Sequence, residues 1–561
     1  MPIVPKVFML VIGLGLSIHP IYLILSRRLL MGLISKYKHW VVVVGIASVF
    51  SVLQWSDQAL AQDTGKLRTA VDETRQHELP SMLQLSLKES IMLALENNLD
   101  VKVDKLNKDV RLTDIVFELA KFDPTIEANV NHQQRAFPLN STIDPITFQE
   151  TEETPLSQVS GQNFGVELQK RLQTGTDIEV EIENERTDLL FFNQSPGGRL
   201  DPEYRSNVNF SIAQPLLRNF GIDINKTFIN VAKNNMAIEE HIFEGELMEL
   251  VEDVTSTYWD LVLSIELLKV EQESLRAAQS LLEHNRAQVK AGVLPSIEIL
   301  VAEADVASRE EDVLVMAQDI EDDEDELRRL LNLPNMPLIE KLTVIPVDLP
   351  RLTTDQISLQ DAIETAFRKR PDIKERKRDL TNRGLEVNHA KNQLLPDLSL
   401  EGGMGLFGLG GDFKDDFAGL RNNDSFHYQA GLVLSVPLGN RSAKSTYNKR
   451  RIEAETALLT LKNLELDITV EVKKALREIN TDLKRIKVAQ LSTKLAQRKA
   501  MEEEQRYKAG LSTSHDVLMF QRDLAEAQGR EIEAIIDFNK ALVYAQHVLG
   551  TILEDADITM A

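Results

Sequence analysis

Between residues 225 and 291 the chain has no proline and a single glycine, Gly245. Apolar residues recur there at Leu247, Leu250, Val254, Tyr258, Leu261 and Leu268, in steps of three, four and seven. A period near 3.5 residues marks helices packed side by side along a seam. A continuous helix over such a stretch is about 100 Å long at a rise of about 1.5 Å per residue. No compact core needs an element of that length, so the chain builds either a fibrous rod or the wall of a tube. The same rhythm returns at Leu458, Leu461, Ile468, Val472, Ala475, Ile479, Leu483 and Ile486, which predicts a second long helix.

The second helix belongs to a second copy of the whole plan. "LSLKESIMLALENNLDVK" at 85–102 aligns with "ISLQDAIETAFRKRPDIK" at 357–374, an offset of 272 that holds as far as Pro124 and Pro396. "FSIAQPLL" at 210–217 then matches "LVLSVPLG" at 432–439 through Pro215 and Pro437, after which the offset is 218. It carries "KAG" at 290–292 onto "KAG" at 508–510. Each copy reads as helices, a β segment, a long helix, a turn and a return helix.

The β segments decide between rod and tube. Ile126, Ala128 and Val130 alternate with Glu127, Asn129 and Asn131, and Val208, Phe210 and Ile212 alternate with Asn207, Asn209 and Ser211. Residues 398–406 and 426–436 alternate as well. Segments of about ten residues, apolar on one side and polar on the other, suit a barrel with lipid outside and water inside. Such a pattern also fits a soluble sandwich; helices too long for a globule favour the barrel. Four strands cannot close around a pore, since small barrels take about eight. The expectation is a symmetric oligomer in which each copy of the repeat supplies one hairpin.

Composition agrees with export. Residues 31–61 carry Lys36 and Lys38, an apolar stretch from Trp40 to Leu53, and Ala59-Leu60-Ala61 as a small-x-small cleavage site. The expected signal region is therefore 1–61 with a true start near Met31; a second apolar stretch precedes it. The net charge is -24, which argues against a nucleic-acid partner. There is no cysteine, so disulfides, thiolate metal sites and thiol-linked lipid anchors are excluded.

With the doubled layout, Gln214-Pro215-Leu216 and Val436-Pro437-Leu438 at the strand-to-helix junctions, and the paired Lys-Ala-Gly turns, the chain resembles the TolC-like family of outer-membrane efflux proteins over about residues 85–550. The resemblance implies a fold that is mainly α with membrane β. In it, a homotrimer forms a twelve-stranded outer-membrane barrel in lipid, continuous with a twelve-helix periplasmic barrel. It implies a passive exit duct rather than an enzyme, docked on a periplasmic adaptor (membrane fusion) protein and an inner-membrane efflux or secretion transporter.

It also places the turns at Gly292 and Gly510 at the periplasmic mouth, where they would meet the adaptor, with Ser296 and Ser514 suited to cap the return helices. Tyr507 stands at the matching gate tyrosine and Glu298 at the acid expected to hydrogen-bond it. Asp516 matches an acid of a constricting ring around the axis, where like charges raise proton affinity. Two positions depart: Ser512 replaces the expected gate arginine and Met519 the second ring aspartate, leaving Arg506 as a substitute cation.

The resulting division is a linker at 62–84 and a first repeat at 85–340, with its β insertion at 125–213 and helical hairpin at 225–332. A linker at 341–356 leads to the second repeat at 357–550, with a β hairpin at 397–436 and a helical hairpin at 440–550; 551–561 is a tail. Within the insertion, residues 164–185 read as an extra hairpin that either stands above the membrane or joins the wall. The Gly-x-Gly-x-x-Gly of 403–408 opens no helix and is read as a strand. The acidic run 319–326 lacks the spaced ligands and turn glycine of a calcium loop and is read as a solvated helix face. No metal or cofactor is expected. The competing readings are a periplasmic coiled-coil adaptor or structural protein, and an exported enzyme.

Overall fold

The structure is a computed structural model that describes residues 82–138, 142–143, 149–150, 156–189, 200–333, 343–352, 358–422 and 425–558. The signal region and most of the first linker lie outside the described residues.

The two periodic stretches form helices α3, Thr227–Lys290, and α8, Arg441–Lys508, of 64 and 68 residues. At about 1.5 Å per residue each runs roughly 100 Å. Their return helices are α4, Ile297–Leu331, and α9, Ser514–Leu549. Shorter helices complete the wall: α1 (Leu87–Asn97), α2 (Leu99–Leu119), α5 (Leu359–Lys369) and α6 (Pro371–Asn392). Near the sheet the lateral order is α2–α3–α6–α8, and towards the turns it is α4–α3–α9–α8. The wall is thus four helices wide at both levels, because the short helices occupy the upper half and the return helices the lower.

Where the halves meet, two short strands drawn from the two linker stretches pair in parallel: β1, Met82–Leu85, and β6, Thr343–Pro346. Tyr258 on α3, fully buried, holds this seam. Its hydroxyl lies 2.9 Å from Asp348 Oδ2 and 3.1 Å from the Leu85 carbonyl, and accepts the backbone N–H groups of Val347 and Asp348 at 3.1 and 3.2 Å. Around it Val254, Leu261, Leu327, Leu331 and Val344 form the largest apolar core. Part of the acidic run of 319–326 is drawn into this region: Asp323 accepts from Ser264 Oγ at 2.5 Å, and Glu324 is buried.

At the other end of the wall stands one antiparallel sheet of six strands: β2 (Thr125–Pro138), β3 (Leu156–Arg171), β4 (Asp177–Leu189), β5 (Glu203–Pro215), β7 (Asp397–Gly410) and β8 (Phe426–Ser435), in the order β2-β3-β4-β5-β7-β8. This corrects the expected four strands with one hairpin from each expected repeat: among the described residues, 125–215 supply four strands and 397–435 supply two. The extra hairpin of 164–185 is β3–β4, and it joins the sheet. Alternation alone could not choose its place, because the period is the same for a strand in the wall and a strand above it. The Gly-x-Gly-x-x-Gly segment lies in β7, and α7, Phe413–Asn422, follows it.

Register sorts the two faces. Ile126, Leu168, Val180, Phe210, Met404 and Tyr428 form one rung across all six strands, every residue apolar or aromatic. The rung beside it on the opposite face is Glu127, Glu167, Glu181, Asn209, Gly405 and His427. One face is therefore built for lipid and the other for water. Among the described residues no helix is long and apolar enough to cross a membrane.

Candidate functional site

Both long helices end in the same local structure. After α3, Gly292 N–H bonds the Val289 carbonyl at 2.9 Å and Val293 N–H the Gln288 carbonyl at 2.9 Å. After α8, Gly510 N–H bonds the Tyr507 carbonyl at 2.9 Å and Leu511 N–H the Arg506 carbonyl at 2.8 Å. This paired closure requires a left-handed residue just past the helix, and Gly292 and Gly510 both have φ of +75°. An added Cβ at either glycine would meet nothing within 4 Å. Backbone conformation alone, and not space, selects glycine there. At the other end of the wall Pro215 closes β5, and Pro437 lies between β8 and α8.

The return helices start differently. Ser296 precedes α4 but makes no side-chain cap. The cap of α9 is Thr513, not Ser514: Asp516 N–H donates to Thr513 Oγ1 at 3.3 Å, and Thr513 N–H to Asp516 Oδ2 at 3.3 Å. Thr513 has the extended backbone a cap needs, and Ser514 is already the first helical residue. Within one protomer this box, with Thr513 Oγ1 donating at 2.7 Å, holds the exposed Asp516 carboxyl below the usual carboxylate range.

Tyr507 and Glu298 come close but do not bond each other. The Tyr507 hydroxyl donates to Asn285 Oδ1 at 2.5 Å, and both residues are buried. Glu298 instead accepts from the Ser514 hydroxyl. The difference follows from packing. Tyr507 is held among Ala278, Leu281, Val517 and Leu518, which points its ring at α3, one turn inside the tip, where Asn285 replaces an apolar seam residue. Burial, and then the nearby charge of Glu298, push the Tyr507 pKa up. Arg506 pairs with Glu503 on its own helix at 3.0 Å, and Glu503 also accepts from Ser512.

A third tie escaped the sequence reading. Arg309 on α4 is almost fully buried. It bonds Asp305 at 2.6 Å, the Ser274 hydroxyl and carbonyl on α3, and the Leu518 carbonyl on α9 at 3.3 Å. Arg522 on α9 returns to Asp305 at 2.8 Å. The usable signals were a polar residue in a seam position for Asn285 and an acid four residues before Arg309. Four polar contacts thus join the first helical hairpin to the second close to the turns: Tyr507–Asn285, Ser514–Glu298, Arg309–Leu518 and Arg522–Asp305.

The outer membrane efflux protein family model matches residues 201–333 and 362–550, which span both helical hairpins and the strands leading into them. The chain belongs to the outer membrane efflux protein family. This efflux protein is 26% identical over 312 residues to the pyoverdine export outer membrane protein OpmQ of Pseudomonas putida, covering 54% of this chain and 62% of OpmQ. It is 21% identical over 306 residues to nodulation protein T of Rhizobium leguminosarum bv. trifolii, covering 54% and 63%. The efflux protein thus spans less than two thirds of each of these relatives. Its fold is that of the Campylobacter jejuni CmeC outer membrane channel, with a TM-score of 0.61, 16% identity and coverage of 83% of this chain and 86% of that one. The open-state Neisseria gonorrhoeae MtrE channel gives a TM-score of 0.57, 16% identity and coverage of 83% and 89%. Membership places this efflux protein in the outer membrane with a large periplasmic helical portion.

Proposed function

We propose that this protein is the exit duct of an efflux or secretion assembly: three copies close into a tube that crosses the outer membrane and reaches through the periplasm. One observation carries this reading. A single protomer is a wall with unfinished sides. Strands β2 and β8 are both sheet edges, with Val130 78% and Tyr428 80% exposed. Long unpaired edges and apolar stripes call for a partner. The helices agree: Ile452, Leu459, Leu466 and Val470 on α8 are exposed at seam spacing, as are Leu99, Val103, Leu106 and Val110 on α2. Pairing the α8 side of one copy with the α2 and α4 side of the next covers both stripes and leaves a hole on the axis.

The tube is a passive conduit. Cargo is selected by an inner-membrane transporter, joined through a periplasmic adaptor that meets the tips at Gly292 and Gly510. The ties Tyr507–Asn285, Ser514–Glu298 and Arg309–Leu518 hold the two hairpins of each protomer together at the mouth, and opening requires breaking them. Arg506 and Asp516 act at the same level, three Asp516 carboxylates facing the axis and favouring cations. The test is membrane fractionation followed by imaging. The protein should stay in the outer-membrane fraction after a high-salt wash and show threefold particles with an axial hole. Release by salt as a solid, water-soluble particle would favour the adaptor reading instead.

A further inference from the structure

The hairpin β3–β4 is absent from a plan of one strand pair per repeat, and its placement has consequences for the pore. Its turn, residues 172–176, lies at the helix end of the sheet, not above it. Gly221 N–H bonds the Thr174 carbonyl at 3.3 Å, and Thr176 donates to Gln214, beside Pro215. Gly175 has φ of +90°, and a Cβ there would come within 2.5 Å of the Asn219 carbonyl oxygen. From that turn β3 pairs with β2 from Gln169 to Leu156, and β4 pairs with β5 from Asp177 to Thr187. A hairpin standing above a membrane would have its turn at the far end and would not register with the lipid-facing rungs. This one continues them: Val166 and Ile182 sit between Ala128 and Val208 in a single apolar row.

We infer that β3 and β4 are membrane-wall strands, so that three protomers close an eighteen-stranded barrel with a wide, acid-lined lumen. The inference rests on the trimeric-duct reading. The backbone diameter is then roughly 36 Å, against roughly 24 Å for twelve strands. The hairpin also sets the lumen's chemistry: Glu167, Glu179, Glu181, Glu183 and Glu185 share the polar face. Their described side-chain partners are neutral amides and a hydroxyl: Asn163 donates to Glu183 at 2.5 Å, Asn209 to Glu181 at 3.2 Å, Gln169 to Glu167 and Ser211 to Glu179. Like charges opposed across strands, as Glu167 and Glu181 are, are tolerated where water and mobile cations surround them. This outer section therefore concentrates cationic solutes and repels anionic ones.

Single-particle imaging of the full-length protein in lipid nanodiscs decides the count. Eighteen strands around one axis are expected. Twelve strands with residues 156–189 outside the wall would overturn the inference and leave the duct standing, whereas particles without an axial hole would overturn the duct itself. Because the native chain has no cysteine, single replacements give an independent reading. Val166→Cys should be shielded from a charged aqueous thiol reagent and, carrying a fluorophore, be quenched by nitroxide lipids. Glu167→Cys should react from the aqueous phase and escape quenching. Equal aqueous reactivity at both positions would place the hairpin out of the membrane and refute the assignment.

Discussion

At the scale of single residues, the turn ends of the two helical hairpins are held together by buried polar contacts whose worth depends on both partners being present. Removing the Tyr507 hydroxyl strips the donor from Asn285 Oδ1, which lies in a fully buried place; such an orphan costs about 1–3 kcal/mol. Tyr507→Phe should therefore lower the unfolding midpoint and raise conductance in planar bilayers. Tyr507→Phe combined with Asn285→Leu should regain most of the stability, since two apolar partners leave nothing unpaired. Unchanged conductance in both variants would remove this contact from the gate. Titration follows from the same geometry. The folded-state pKa of Tyr507 is raised, so its contribution is fully present below the unfolded value and lost as pH rises through the folded one. Asp516 is lowered, so its cap is intact above the unfolded carboxylate range and lost as pH falls through the depressed value. Conductance measured against pH should rise at the alkaline extreme, and that rise should vanish in Tyr507→Phe. At Gly292 and Gly510, alanine should cost about 1 kcal/mol each through the left-handed backbone alone; a much larger loss in denaturant unfolding would mean that a neighbour occupies the open space.

At the scale of elements, two places decide how the walls are joined. Tyr258 is the keystone between the helices and the small parallel sheet. Burial pushes its pKa up to about 12, and its oxygen is the acceptor for two backbone N–H groups. Tyr258→Phe leaves those donors without it and should cost about 1–3 kcal/mol, read as a shifted denaturant midpoint with helix content retained. The second place is the lumen face of β3–β4. Glu167→Gln with Glu181→Gln should lower the cation-over-anion permeability ratio taken from reversal potentials at neutral pH, without changing the strand count. A ratio that does not move would show that ion preference is set elsewhere along the tube.

At the scale of the whole molecule, assembly and folding are coupled through the exposed stripes. A protomer's helices bury Val254, Leu261 and Phe538 internally, yet leave seam-spaced apolar residues of α8 facing outward. Leu466→Asp with Val470→Asp should leave the helical circular dichroism signal largely intact while abolishing the threefold particle on native gels. Retained trimers would mean that this side of the wall is not the interface.

The sequence by itself determined the two helices of roughly 100 Å and the existence of two-faced strands. Each is written in a period of 2 or 3.5 residues, and such patterns are local. It also singled out Gly292 and Gly510, because a repeated turn is visible as a string, whereas Tyr507, Glu298 and Asp516 were named through the family resemblance. What it left open are pairings between segments distant in the chain. Periodicity says which face a residue shares but not which element meets that face. The bond from Tyr507 to Asn285, the burial of Arg309 between α3 and α9, and the insertion of β3–β4 between β2 and β5 were therefore decided only when the helices packed and the strands took their register.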